Sequence, residues 1–463
     1  MIKSFLRLPF LRLLWLVLLF VFVQCKLDLD GGMNATSRWA ALAGFAENGN
    51  PQIDAYVGHT IDWARPADGH YYSNKAPGPM LLALPLFLAS DRATTQGLST
   101  ASARNSARLA ARAEVLSTLS IVLQALPYAL LVMSVMAVLV ERRVRADGLR
   151  FACVALLFGN TAALFMNTFF GHGLAAVWVL ALWLSLYREK PLWVGISLGF
   201  AVLCDYGAAL LALPTFVWLW QTHPKRWRPL AWCALGGLGP LLAFALYHRY
   251  CFGGPFTLPN KFNNPAFIDV PTNEVNLWGV LRLVPPWRAT KELLVGSERG
   301  LLWTQPWCLF GLFALAFVWW RQRHATCPNA QLFRRATLFA VTGFALVFWM
   351  NASFNGWNGG FTAGPRYLSI VFPPLALALG LGFAWLPSFL RQLLDLGLVA
   401  ALLLWLLVFS VQVVLAPPEP IAHFYLRELV SKQPGEHLTR FVGLTLGLVF
   451  GWWQVGGRRE AWA

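Results

Sequence analysis

Charged residues are scarce in this 463-residue chain. Asp, Glu, Lys and Arg together make up 13% of it, against roughly 25% in a soluble domain. Hydrophobic residues fill 57% and gather in runs such as 114–140 and 393–415. A water-soluble fold cannot carry such runs on its surface, so the shortage of charge excludes a soluble protein. Paired cysteines are also missing. The seven that occur are scattered, mostly within apolar runs, with neither metal-site spacing nor a disulfide framework; they read as buried thiols. No internal repeat or low-complexity segment is visible, which excludes a solenoid or a linker-rich array. No Gly-rich nucleotide motif is present either.

What is there is a series of apolar runs long enough to cross about 30 Å of hydrocarbon, several of them short. They fall near 8–24, 115–140, 151–168, 173–187, 191–204, 207–221, 229–248, 301–320, 336–353, 367–386, 393–415 and 441–455. This pattern predicts an all-α, polytopic integral membrane protein of about twelve transmembrane helices. Basic residues gather on one side of these spans: Lys3 and Arg7, Arg142, Arg143 and Arg145, Arg188 and Lys190, Lys225, Arg226 and Arg228, Arg321, Arg323, Arg334 and Arg335, and Arg458 and Arg459. By the positive-inside rule that side is the cytoplasm and the N-terminus lies there, in a multi-pass protein of the cytoplasmic (inner) membrane. The net charge of +16 is then a signal of topology, and no nucleic-acid partner is expected. Lys3 and Arg7 before an apolar stretch resemble a secretory leader, but no small-residue cleavage site follows, so a retained first helix is expected.

Within this single membrane domain, three outer segments are too long to be turns: 25–114, 250–300 and 417–440, with a shorter loop at 355–367. Long loops in a compact fold are functional or disordered. The first holds the stretch GHYYSNKAPGPMLLALP at 69–85. Lys75, Tyr71 and Tyr72 stand there before a Pro-Gly-Pro turn and an apolar run, where a cation and hydroxyls suit a lipid phosphate at headgroup level. Helical spacing of Trp39, Leu42, Phe45 and Ala46 predicts a short interfacial helix over 37–47. Pro77 and Pro79 are suited to starting a helix, whose N-terminus would favour an anion. The remaining polar residues of note are His172 between two spans, Asp205 at the end of one, where an acid needs a partner or a cavity, and Arg366 behind Gly364-Pro365.

Together these features resemble the GT-C superfamily of membrane glycosyltransferases, in particular the bacterial branch similar to protein O-mannosyltransferases and lipid A aminoarabinose transferases. The resemblance lies in the layout of a cytoplasmic N-terminus, one helix and a large outer loop. It also lies in the Lys-x-Pro-Gly element at Lys75–Gly78, and in FFGHGLAA (169–176), RGLLWTQP (299–306) and WNGGFTAGPRYL (357–368). It implies transfer of a sugar from a polyprenyl-phosphate donor, among membrane lipids, to a cell-envelope glycan, lipid or protein on the outer face. Such a transfer needs a carboxylate to take the acceptor's proton, with Asp30, Asp62 and Asp28 as candidates. It also needs cations for the departing phosphate, which Lys75 and Arg366 supply, with Arg38, Tyr71, Tyr72, His172 and Asp205 as further substrate-binding candidates. In the aminoarabinose-transferase pattern an acid stands three positions before an Arg; if Arg38 is that Arg, the position is Ala35. The family often carries Glu before the Lys, where it helps hold a divalent metal; here the residue is Asn74, so no cofactor is fixed.

The alternative from another class is a flippase or transporter of lipids or lipid-linked glycans. Transporters carry ionisable groups at the bilayer midplane or broken helices matched between repeats, whereas the polar residues here collect on one face. The three aspartates can be told apart by rate. Asp30→Asn and Asp62→Asn should differ sharply in sugar transfer if one of them is the base; equal and mild losses would place the proton acceptor elsewhere.

Overall fold

The computed structural model describes residues 8–26, 32–223, 227–267, 277, 280–413, 415–431 and 433–456. Lys3, Arg7, Asp28, Asp30, Lys225, Arg226, Arg458 and Arg459 lie outside these. Among the described residues the chain is all-α, apart from one two-stranded ribbon. The first helix, α1 (Leu8–Lys26), leads into the long loop, which is itself mostly helical: α2 (Gly32–Asn48), α3 (Gly78–Thr95) and α4 (Ala101–Ser120). Thr100 caps α4 by accepting from the Ala103 N–H, and Pro79 occupies the first turn of α3, where its missing N–H costs nothing. A five-residue π-helical segment, Ile121–Ala125, joins α4 to α5 (Leu126–Glu141) without a break.

There follow α6 (Ala146–Leu157), α7 (Thr161–Leu164), α8 (Gly171–Tyr187), α9 (Pro191–Cys204), α10 (Ala212–Thr222) and α11 (Arg228–Phe252). The second half comprises α12 (Trp287–Val295), α13 (Leu301–Thr304), α14 (Pro306–Arg321), α15 (Pro328–Ser353), α16 (Phe372–Gly382), α17 (Ser388–Val411), α18 (Ile421–Ser431) and α19 (Pro434–Gly456). Proline opens many of these at the first or second position, as in α9, α14 and α15, and Gly253 at φ +80° ends α11.

The expectation of about twelve spans is met only in part. By length and composition four helices can cross a bilayer: the continuous run Ala101–Glu141, α11, α15 and α17. A fifth exists if α6 and the segment Thr161–Asn167, bent by 43°, are taken as one. Five further apolar helices have 10–17 residues, or about 15–25 Å, short of the hydrocarbon thickness. Local chemistry ends them early. The stretch expected at 151–168 breaks at Asn160, whose side chain caps α7 through the N–H groups of Ala162 and Ala163. The one expected at 367–386 splits into the short turn Arg366–Leu368 and α16. Large apolar side chains face outward all along the bundle, Leu246 at 69%, Phe313 at 72% and Leu446 at 65% exposed. Apolar surface on this scale is that of a membrane protein.

From residue 32 to 114 the expected outer loop forms a packed unit rather than a loop over lipid. In α2, Asn34 to Gly44 are buried without interruption, so the helix is surrounded by protein instead of laying one face on the membrane. Arg104, Arg108 and Arg112, four residues apart, share one face of α4 and hold the unit together. Arg108 grips Asp91 of α3 with Nε and Nη2 at 2.7 and 2.9 Å, and reaches Glu47 of α2 with Nη1 at 2.6 Å. Arg104 donates to the same Glu47 through Nε (3.1 Å) and Nη2 (2.5 Å). Arg112 donates to Thr36 Oγ1 at 3.0 Å. The Arg108–Asp91 pair is buried on both sides, and removing one partner of such a pair costs about 3–5 kcal/mol.

Hydrogen bonds from Arg104 and Arg108 hold the Glu47 carboxyl down at about 2. A carboxyl depressed in the folded state contributes stability that is complete above its ordinary range and lost as pH falls toward the folded value. Hydrogen-exchange protection of α2 and α4 is therefore expected to weaken as pH falls from about 4.5 toward 2, and Glu47→Gln should remove Glu47's share of that dependence while lowering protection at neutral pH.

Candidate active site

The ribbon fixes the first pair of groups. Trp63–Ala64 pairs antiparallel with Tyr72–Ser73, Trp63 facing Ser73 and Ala64 facing Tyr72, with Gly69 at φ +82° in the connection. Running the register one step beyond the ribbon brings Asp62 toward Asn74 and Lys75. Lys75 Nζ then donates to Asp62 Oδ1 at 2.8 Å. Ser37 of α2 anchors the ribbon: its hydroxyl donates to the Asp62 carbonyl at 2.5 Å and lies 2.7 Å from Ser73 Oγ. Since the Ser37 proton is used on the carbonyl, Ser73 must be the donor of the second bond.

The next residue of α2, Arg38, is 5% exposed. Its Nη1 donates to the carbonyl of Asn34 at 3.3 Å and to Asn34 Oδ1. Among the described residues Arg38 forms no ion pair, and its Nε finds no partner. Burial brings this guanidinium down to about 10 against the pull of Asp62, so it stays charged at neutral pH. Lys75 is likewise lowered by burial, with Asp62 opposing and Arg366 and Arg38 adding to the fall.

The corner between α9 and the turn that follows brings in the second pair. Asp205 caps that turn, its Oδ1 accepting from the Gly207 N–H at 3.0 Å, while Oδ2 lies 2.6 Å from His172 Nδ1 in the first turn of α8. Two glycines allow this corner to close. A Cβ on Gly78 would meet Cys204 Sγ at 2.6 Å and Cys204 N at 2.7 Å. A Cβ on Gly171 would collide with the Cys204 carbonyl and stand 3.1 Å from Arg38 Nη2. The Lys75-Ala76-Pro77-Gly78 element, the His172–Asp205 pair and Arg38 thus meet at one backbone crossing.

Arg366 closes the cluster from the far end of the sequence. Its guanidinium lies 5.1 Å from the Tyr367 ring and 6.0 Å from the Phe170 ring, and Nη2 donates to Tyr367 Oη at 3.2 Å. Its charge acts on Lys75, Arg38 and His172 together. Arg299, 7% exposed, stands behind it, donating to the Asn358 carbonyl at 2.6 Å, with Glu298 at 4.0 Å. The Nε atoms of Arg366 and Arg299 have no hydrogen-bond partner among the described residues.

The cluster therefore unites Arg38, Asp62, Lys75, His172, Asp205 and Arg366 from five separate stretches of chain. Tyr71 and Tyr72 stand apart from it. Tyr71 packs edge-on against Trp63 at 5.0 Å, beneath Arg65. Tyr72 is buried, its hydroxyl donating to Asp68 at 2.8 Å and its ring set against Tyr250 and Phe252. Asp28 and Asp30 fall outside the described residues. Sequence reasoning passed over Asn34, Ser37, Ser73 and Tyr367. Only Tyr367 carried a signal, its place beside Arg366; the others act through pairings that spacing does not reveal. Among the described residues no three His, Cys, Asp or Glu gather as metal ligands would. Chemically the arrangement can hold an anion between three cations and keep an imidazole in a fixed orientation. No family model and no curated protein matches this chain.

Gly171→Ala tests the crossing. The added methyl has backbone on one side and a guanidinium on the other, and overpacking of this kind costs about 1–3 kcal/mol. A clear fall in the thermal midpoint of the detergent-solubilised protein is expected, whereas Gly58→Ala, where a Cβ meets nothing within 4 Å, should leave it unchanged.

Proposed function

We propose that this chain is a membrane glycosyltransferase of the GT-C kind, moving a sugar from a polyprenyl-phosphate donor to a cell-envelope acceptor. On this reading the short apolar helices complete a bundle of about twelve membrane segments. The N-terminus is cytoplasmic, and the cluster opens at the outer face of the cytoplasmic membrane. The observation that carries the reading is the convergence of Arg38, Lys75 and Arg366 on one place, where among the described residues neither Arg38 nor Arg366 forms an ion pair and the Nε of each has no hydrogen-bond partner. Cations buried without anions cost several kcal/mol each, and a phosphate seated among them removes that cost.

Sugar transfer makes specific use of such a place. As the bond between the anomeric carbon and the phosphate oxygen breaks, negative charge grows on the lipid phosphate, and cations already in position stabilise the transition state more than the ground state. Arg366 and Arg38 can each grip phosphate oxygens as a planar fork, whereas Lys75 acts as a point charge. The Asp62 carboxylate holds the Lys75 ammonium in place.

The test is a donor assay on the protein in nanodiscs. A panel of polyprenyl-phosphate hexoses is offered with envelope extract, and free polyprenyl phosphate is followed by mass spectrometry. Wild-type protein should release it in an acceptor-dependent way, and Lys75→Ala should lower release about 10²–10³-fold with expression and insertion intact. Release from no donor, with labelled lipid moving between leaflets instead, would replace the glycosyltransferase by a flippase.

A further inference from the structure

We infer that His172 is the proton acceptor of the transfer step and that Asp205 is its positioning residue. The inference rests on the glycosyltransferase reading and adds the group that activates the acceptor. A base for this step needs a lone pair that no other group occupies, a fixed direction, and a place beside the cations that hold the phosphate. Asp62 meets the third condition, but its Oδ1 accepts from Lys75 Nζ at 2.8 Å, and taking up a proton would discharge the carboxylate that holds this ammonium.

His172 meets all three. Asp205 Oδ2 lies 2.6 Å from Nδ1, and the carboxylate is itself held by the Gly207 N–H on Oδ1. An ionised carboxylate only accepts, so Nδ1 carries the proton and the neutral ring keeps its lone pair on Nε2. Among the described residues nothing bonds to Nε2. The ring is set at 89° to Tyr367 with centroids 5.4 Å apart, and Phe165 lies 5.8 Å away, which fixes its direction. The charged groups facing it are Asp205, Arg366 and Arg38, the last two being the proposed phosphate holders. A small part of each side chain remains exposed, 13% for His172 and 11% for Asp205.

The step balances as follows. The acceptor hydroxyl oxygen forms a bond to the anomeric carbon, and the bond from that carbon to the phosphate oxygen breaks with its electron pair leaving on the lipid phosphate. The hydroxyl proton passes to His172 Nε2. Asp205 stabilises the imidazolium, which then returns the proton to water.

The experiment uses the nanodisc protein and the most active polyprenyl-phosphate hexose from the panel above, with turnover and donor KM measured from pH 5 to 9. His172→Gln should lower kcat about 10²–10⁴-fold with donor KM within about threefold of wild type, and should lose the fall in rate on the acid side. Asp205→Asn should lower kcat less and displace that limb, which a merely structural residue would not do. His172→Ala should regain activity with added imidazole, a result that loss of folding cannot imitate. A His172→Gln protein that keeps wild-type turnover, or a His172→Ala protein that imidazole does not restore, overturns the assignment while leaving the glycosyltransferase reading in place. No wild-type turnover with any donor removes both.

Discussion

Two residues on each strand hold the ribbon between Trp63 and Ser73 in one register, and the position of the first ion pair follows from it. A slip by one residue would turn each side chain to the opposite face, separating Asp62 from Lys75 and lifting Ser73 off Ser37. So short a ribbon cannot hold itself in water. Its register is kept from outside, by the Ser37 hydroxyl on α2, by the Ile53 N–H donating to the Tyr71 carbonyl at 2.8 Å, and by the Arg65 N–H donating to the Phe262 carbonyl. The geometry of a site at the chain's most polar corner is thus borrowed from a helix buried on all sides.

Two kinds of charge cluster follow from the same scarcity of ionisable groups. Around Arg108 each charged group has its opposite, two carboxylates lie among two guanidiniums, and the result is a lock. Around Arg38 the Nε atoms of Arg38 and Arg366 lack partners among the described residues, and the His172 imidazole is bonded there through Nδ1 alone. The difference lies in whether the described residues supply the partners. A buried network that is fully bonded rigidifies, and one left unsatisfied stores a demand for a ligand.

Much of the class was legible in the sequence. Sparse charge and long apolar runs dictate helices and a membrane, and the residue types at Arg38, Asp62, Lys75, His172, Asp205 and Arg366 stand out because ionisable groups are rare in such a background. What the sequence does not reveal is which of them touch. Asp62 and Lys75 lie thirteen positions apart and are joined by a ribbon too short to leave an alternating pattern. His172 and Asp205 meet because Gly78 and Gly171 let two backbones approach, a demand that spacing alone does not show. The helix boundaries were also hidden, since an apolar run looks the same whether it continues or stops at an Asn160 cap. The burial of α2 on every side escaped too, because its outward and inward faces are equally rich in alanine.

The run from Ala101 to Glu141 spans 41 residues, about 60 Å at helical rise, or about twice the thickness of the hydrocarbon. Half of it therefore stands clear of the apolar layer, and that half carries the Arg104–Arg108–Arg112 row that clamps α2 and α3. Membrane helices answer a change in bilayer thickness by tilting. Because α4 runs on into α5 through the π-helical segment Ile121–Ala125, the row that clamps α2 and α3 stands on the same continuous run that enters the apolar layer.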